Sequence, residues 1–196
     1  MRVGLGNVTV AGAARSAGAS VGMVQHYYAS KEALLGETYR SVRADVLARV
    51  DAAVALAERR HARIERMLAR SLKQLLPLDA QRREEAYLMQ AFAGLALEDE
   101  TLAARLRDAH RTHRELVALA LSNGQRCGEV EAETDVDAEA YGLISLTEGL
   151  SARLLVSATR PERRWAGQVL EAQAARLCPG PCHHHSGAAA SPGAVG

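Results

Sequence analysis

Between Leu34 and Val54 the apolar side chains recur at steps of three and four: Leu34, Leu35, Tyr39, Val42, Val46, Leu47, Val50 and Val54. A half-buried strand would need alternation at steps of two, so this stretch commits the chain to a long amphipathic helix. Ser30 stands where a hydroxyl can cap its first turn. Glu32 follows where the helix dipole favours an anion. The spacing predicts a helix over residues 31–58, long enough to link two lobes.

The same period continues, and no segment calls for a strand. Residues 61–76 place Ile64, Met67, Leu68, Ser71, Leu72 and Leu75 on one face and stop at Pro77. Residues 80–97 carry Tyr87, Leu88, Phe92 and Leu95. Residues 99–125 carry Leu102, Leu106, Leu116, Val117 and Ala120, with an end expected near Asn123-Gly124. A loop over 126–134, containing Gly128, leads to Thr134 or Asp135 as the next cap. In 136–157, Tyr141, Leu143, Ile144, Leu146, Leu150, Leu154 and Leu155 cover more than one face, which predicts burial on two sides. Pro161 suits the start of a last helix to residue 177, with Trp165, Val169, Leu170 and Leu177 apolar. The fold class is therefore all-α. Ala, Leu, Arg and Glu dominate and aromatics make up only 4%, a balance that favours helix. At 196 residues the chain can bury a core without disulfides or metals. From Pro179 the residues turn to Pro, Gly, Ala, Ser and His, which predicts a disordered tail over 179–196.

Several function classes drop out. The net charge of +1 names no partner. Over residues 1–49, however, Arg2, Arg15, Lys31, Arg40, Arg43 and Arg49 outnumber Glu32, Glu37 and Asp45, six against three. That mild basic bias suits phosphate contact. No apolar run approaches a membrane span and no secretory leader opens the chain, so a cytoplasmic protein without membrane attachment is expected. Cys127, Cys178 and Cys182 form no secreted-type framework. No Ser-His-Asp set, glycine-rich phosphate loop or carboxylate pair marks an active site, so neither an enzyme nor a cofactor is expected. His110 and His113 share a helix face at a spacing that can hold zinc, but no third ligand lies nearby in sequence. Cys178, Cys182 and His183-His184-His185 also invite a metal reading. The expectation for both is no metal.

Ahead of the long helix lies a different signature. Val10, Ala13, Ala14 and Ala17 have helical spacing, capped by Asn7 or Thr9. The turn Ala17-Gly18-Ala19 follows, then Ser20 as a cap for Val21-Gly22-Met23-Val24-Gln25-His26-Tyr27-Tyr28. Two short helices joined by a tight turn make a helix-turn-helix, whose second helix can lie in a DNA groove.

The run from Val8 to Leu35 resembles the DNA-binding domain of TetR-family transcriptional regulators. Both helices, the glycine-bearing turn, the Tyr27-Tyr28 pair, Lys31 and Leu34-Leu35 follow the family's order. Leu116 to Val130 and Leu143 to Leu155 more loosely resemble a BetI-like C-terminal domain. The resemblance covers residues 2–177 and implies an all-helical homodimer that binds a double-stranded DNA operator and a small-molecule effector. Ser20 and Lys31 would then meet phosphate, Gly22 would allow close approach, and Met23 would read bases. Gln25, His26 and Tyr27 would contact phosphate or bases. Tyr28, Val21 and Val24 would pack beneath. The resemblance further implies a first helix before Gly4, of which Arg2-Val3-Gly4-Leu5-Gly6 is only the end and the following turn. The domains expected are an N-terminally incomplete reading head over 1–45, a ligand and dimerisation domain over 46–178, and the tail.

Pocket residues expected to face inward are Met67, Ser71, Tyr87, Met89, Phe92, His110, His113 and Tyr141, with Glu148 as a further candidate. The dimer face is expected at Leu143, Leu146, Leu150, Leu154, Trp165 and Val169. The leading function is a repressor released from a palindromic operator by its effector. The alternative is a dimeric small-molecule binder impaired in DNA binding, or a heterodimer partner of a full-length regulator.

Overall fold

The computed structural model describes residues 8–182. Within them eight α-helices follow one another: α1 (Val10–Ser16), α2 (Val21–Tyr27), α3 (Lys31–Arg59), α4 (Ile64–Leu72), α5 (Ala80–Ala96), α6 (Glu100–Cys127), α7 (Val136–Val156) and α8 (Arg160–Leu177). No strand occurs among the described residues. The expectations for residues 1–7, including the remnant of a first helix, fall outside the described residues, as do those for 183–196.

The helix starts are set by short polar caps. Thr9, Ser20, Ser30, Asp79, Asp99, Asp135 and Thr159 each accept from a backbone N–H of the first turn. Thr159 and Glu162 complete a reciprocal capping box, with Pro161 in the first turn of α8. The end of α6 differs from expectation. Gly124 continues the helix, tucked so closely against Val130 that a Cβ would come 2.5 Å from its Cγ2. The stop falls at Gly128, which supplies the left-handed conformation (φ +85°) that ends the helix.

The main core joins α4, α6, α7 and α8 through Leu68, Leu72, Leu121, Leu143, Leu154, Leu170 and Leu177. A smaller core between α3, α5 and α6 holds Leu35, Tyr39, Phe92 and Ala109. Tyr39 and Phe92 meet edge to face at 5.3 Å between ring centroids. Arg83 on α5 donates to the carbonyls of Leu154 and Leu155 at 3.1 and 2.7 Å, satisfying the C-terminus of α7.

Two expectations are corrected here. Leu143 and Leu154 are buried in the chain's own core, and Leu146 and Leu150 pack against it. α7 instead exposes Tyr141, Gly142, Ser145, Gly149 and Val156, and α8 exposes Trp165 and Val169. Residues 179–182 are also held to the body: the Gly180 N–H donates to the Glu129 carbonyl at 3.1 Å and Cys182 is buried, while Pro179 and Pro181 are exposed.

Candidate functional site

The two short helices form a compact turn. Gly18 takes φ +65°, a conformation glycine reaches without the Cβ penalty, and the Ala19 N–H closes onto the Ala14 carbonyl at 2.9 Å. Ser20 Oγ accepts from the Met23 N–H at 3.1 Å. Capping uses an acceptor lone pair of that hydroxyl, so its O–H remains able to donate to a phosphate. All of Ser20, Gly22, Met23, Gln25, His26 and Tyr27 are exposed, Met23 at 55% and Tyr27 at 74%. A Cβ on Gly22 would meet nothing within 4 Å, so the protein's own packing does not require glycine there. His26 and Tyr27 stand edge to face at 5.4 Å. Lys31 is half-buried in the first turn of α3. Of the residues expected beneath, Val24 and Tyr28 are half-buried, whereas Val21 is 41% exposed. In α1 and α2 together only Ala14 is fully buried.

A second site lies within the body. A cavity of about 290 Å³ opens between α3, α5, α6 and α7. Apolar walls come from Val46, Leu75, Met89, Leu106, Ala109 and Ile144, and polar groups from Tyr39, Arg49, Arg82, Glu85, His113 and Glu148. Arg49 holds the buried Glu85 with two parallel hydrogen bonds, Nη1 to Oε1 at 3.0 Å and Nη2 to Oε2 at 2.5 Å. Gln81 donates to the same carboxylate at 3.0 Å. His110 Nε2 lies 3.5 Å from Glu148 Oε1. Burial, reinforced by the cationic Arg43 and by His110, lowers the His113 pKa to about 4, so its ring is neutral at neutral pH. Burial also raises the pKa of the Tyr39 phenol.

Three buried polar atoms of cavity residues have no hydrogen-bond partner among the described residues: Tyr39 Oη, Arg49 Nε and His113 Nε2. An unmet buried polar group costs about 1–3 kcal/mol, so these three residues of one cavity lining are candidates to bind a polar guest.

Of the expected pocket residues, Met89, His110 and His113 line this cavity. The others do not. Phe92 is turned into the core against Tyr39. The Ser71 hydroxyl donates back along α4 to the carbonyls of Met67 and Leu68, at 2.8 and 3.1 Å. Met67 shares that helix, outside the cavity wall. Tyr87 lies off the α5 face formed by Arg82, Glu85, Ala86, Met89 and Ala93. Tyr141 is 69% exposed on the outer face of α7. Sequence reasoning missed Tyr39, Arg49, Arg82, Glu85 and Thr147. Arg49 and Glu85 are 36 positions apart, and only their charges on otherwise apolar helix faces hinted at a pair.

A helix-turn-helix with an exposed second helix, joined by one long helix to an all-helical body with a cavity, defines the helical transcriptional regulators. Residues 64–179 match the family of BetI-type transcriptional repressors, C-terminal part. The chain belongs to the TetR family of transcriptional regulators, with a C-terminal part of BetI type. A transcriptional regulator from Rhodococcus sp. Rha1 superposes with a TM-score of 0.78 at 26% identity, over 90% of this chain and 88% of its own. A TetR-family regulator from Cytophaga hutchinsonii gives 0.77 at 16% identity, over 89% and 86%. A regulator from Saccharomonospora viridis, solved in complex with choline, gives 0.72 at 23% identity, over 87% and 86%. No curated protein matches the sequence. The family and these relatives are regulators, not enzymes. Among the described residues no helix is long and apolar enough to cross a membrane.

Proposed function

We propose that this protein is a cytoplasmic homodimeric repressor that leaves a palindromic operator when a small molecule fills the α3–α5–α6–α7 cavity. The observation that carries this reading is α3 itself. One helix of 29 residues starts with Lys31 beside the reading helix and lines the cavity with Tyr39, Val46 and Arg49. In this reading residues 1–45 form the reading head and 46–178 the ligand and dimerisation domain. Ser20 and Lys31 bind phosphate. Met23, with Gln25, His26 and Tyr27, faces base edges, dividing positioning from specificity. The second copy covers the outer face of α7 and α8, around Tyr141, Gly142, Ser145, Gly149 and Trp165. Gly142 and Gly149 leave open space there, letting another backbone approach.

The cavity also defines a ligand class. Glu85 is already held by Arg49, and Glu148 faces His110, whereas Tyr39, Arg49 and His113 offer unmet polar atoms. The guest is therefore a small amphipathic molecule whose acceptor head, such as a carboxylate, meets these groups and whose apolar part lies on Met89, Leu106 and Ile144. The choline seen with the Saccharomonospora viridis regulator is a cation. Among the described residues Tyr39 is the single Phe, Tyr or Trp lining this cavity, which gives no cage of such rings for a quaternary ammonium.

The test is selection of bound DNA from a random pool with the full chain, followed by gel shifts with candidate ligands. Recovery of a two-fold symmetric consensus, released by an acceptor-bearing ligand and not by choline, supports the reading. A pool with no enrichment would leave the second reading, a dimeric small-molecule binder impaired in DNA binding or paired with a full-length regulator. That reading is favoured by one observation, the thin burial of α1 and α2.

A further inference from the structure

Away from both sites, the C-terminal end of α6 meets the segment that follows α8. Cys127 closes α6, Glu129 lies in the turn after it, and Cys182 arrives from beyond α8. One ligand atom from each lies within 4.8 Å of the other two, and all three residues are buried. Cys127 Sγ is 3.8 Å from Glu129 Oε1. No disulfide joins these cysteines.

The arrangement is built rather than incidental. Glu129 is only 1% exposed, and its other carboxylate oxygen accepts from Arg63 Nε at 3.3 Å. The same guanidinium donates through Nη2 to the carbonyls of Cys178 and Gly180, at 3.1 and 2.6 Å. Gly180 approaches Gly128 so closely that a Cβ would sit 2.0 Å from the Gly128 carbonyl oxygen. Glycine is required there, and that close approach is what delivers Cys182 to Cys127. The backbone on both sides is thus fixed by hydrogen bonds that leave the two thiols and one carboxylate oxygen converging.

We propose that Cys127, Glu129 and Cys182 bind a thiolate-preferring divalent cation, Zn²⁺ foremost. The donor set is two sulfurs and one carboxylate oxygen, the soft-leaning composition that suits zinc. With metal–sulfur and metal–oxygen bonds of about 2.3 and 2.0–2.2 Å, a tetrahedral centre holds sulfur and oxygen roughly 3.5 Å apart. The Cys127–Glu129 separation therefore needs to close by only a few tenths of an ångström. Binding releases the two thiol protons to solvent, and the ion's charge offsets the two thiolates it creates. Arg63 continues to neutralise and orient Glu129 from the far side, as a positioning residue. The ion cross-links the end of α6 to the segment after α8. The proposal does not depend on how the cavity or the reading helix works.

The experiment titrates Co²⁺ and then Zn²⁺ into the full chain, reduced and kept under inert gas. The expected result is uptake of one Co²⁺ per chain with a thiolate-to-cobalt charge-transfer band and intense tetrahedral d–d bands, both removed by Zn²⁺. Cys127→Ser and Cys182→Ser each abolish the charge-transfer band or cut it by half, and Glu129→Gln weakens uptake. Cys178→Ser keeps the spectrum, as does replacement of His183, His184 and His185 by Ala. Because a substitution in this buried cluster can unfold the chain, the wild type is also alkylated with and without Zn²⁺. Zinc should slow labelling of Cys127 and Cys182 at least tenfold, and a chelator should restore it. Unchanged labelling, no uptake, uptake without the charge-transfer band, or a band that depends on the histidine run would each overturn the site.

Discussion

The neutral ring of His113 makes folding stability depend on pH in a defined window. Its folded pKa is lowered to about 4 from an ordinary 6.5, first by burial and then by Arg43 and His110. Below pH 6.5 the unfolded chain takes up a proton that the folded chain refuses, so stability falls as the pH drops from about 6.5 towards 4. At pH 5 the unfolded ring is almost fully charged and the folded ring almost fully neutral, a difference of ~2 kcal/mol. At pH 7.5 the same difference is close to zero. The perturbation is His113→Gln, which keeps a polar side chain but cannot titrate. Urea unfolding of the ligand-free protein and the variant, at one protein concentration and at pH 7.5 and 5.0, isolates this residue because the other six histidines are common to both. The wild type should lose about 2 kcal/mol more than the variant between the two pH values. Equal losses would show that the ring takes up its proton in the folded state and would refute its dehydrated placement.

Other consequences follow from single contacts. Lys31→Ala should weaken binding across DNA sequences and reduce the salt slope by about one, while Met23 substitutions should shift sequence preference; footprinting or gel shifts over a salt series separates these outcomes. Trp165→Arg places a charge on the outer α7–α8 face and should yield monomers by light scattering, with helicity unchanged; an intact dimer would place the interface elsewhere. Gly124→Ala should cost about 1–3 kcal/mol through the clash with Val130, and Val130→Ala in the same chain should recover most of it, as thermal unfolding would show. Glu85→Ala, which leaves the Arg49 guanidinium half-buried without its carboxylate, should cost about 2–3 kcal/mol; a loss below about 0.5 kcal/mol would show that water replaces the pair.

Helix positions were legible because caps and periodicity are local signals. Thr9, Ser20, Ser30 and Asp135 mark starts that no distant contact overrides. The end of α6 was misjudged because a glycine marks a stop only where the backbone turns left-handed. Gly124 serves close packing against Val130, and Gly128 serves the turn. Facing was harder to read. On α5, Phe92 and Met89 sit three positions apart, yet one fills the core and the other lines the cavity. On α7, the large leucines were the obvious candidates for an interface, but the chain's own core claims them first. What is left outside includes Tyr141, Gly142, Ser145 and Gly149, together with charged residues and Val156. The segment 179–182 was read as tail because its composition has little to bury, yet its hold is through backbone groups, carbonyls of Cys178 and Gly180 on Arg63, which composition does not report.

The placement of α3 constrains how a ligand could act. From Arg49 back to Lys31 the helix covers about 27 Å at 1.5 Å per residue, so a tilt of about 5° at the cavity would carry Lys31 by roughly 2 Å. Only three residues, Tyr28, Ala29 and Ser30, separate α2 from α3, so the reading helix would move with it. Two such displacements in a dimer change the spacing of paired helices against a fixed half-site distance, without any ligand contact to the head. The ligand can drive this only to the extent that Tyr39, Arg49 and His113 bind it better in one tilt than in the other. Coupling of this kind, typically 1–3 kcal/mol, is reciprocal. Operator DNA must therefore weaken ligand binding by the same factor by which ligand weakens operator binding. A finite factor, with protein, ligand and operator forming a ternary complex at saturation, separates a tilt of α3 from simple competition of ligand for the DNA-binding face, in which each would exclude the other altogether.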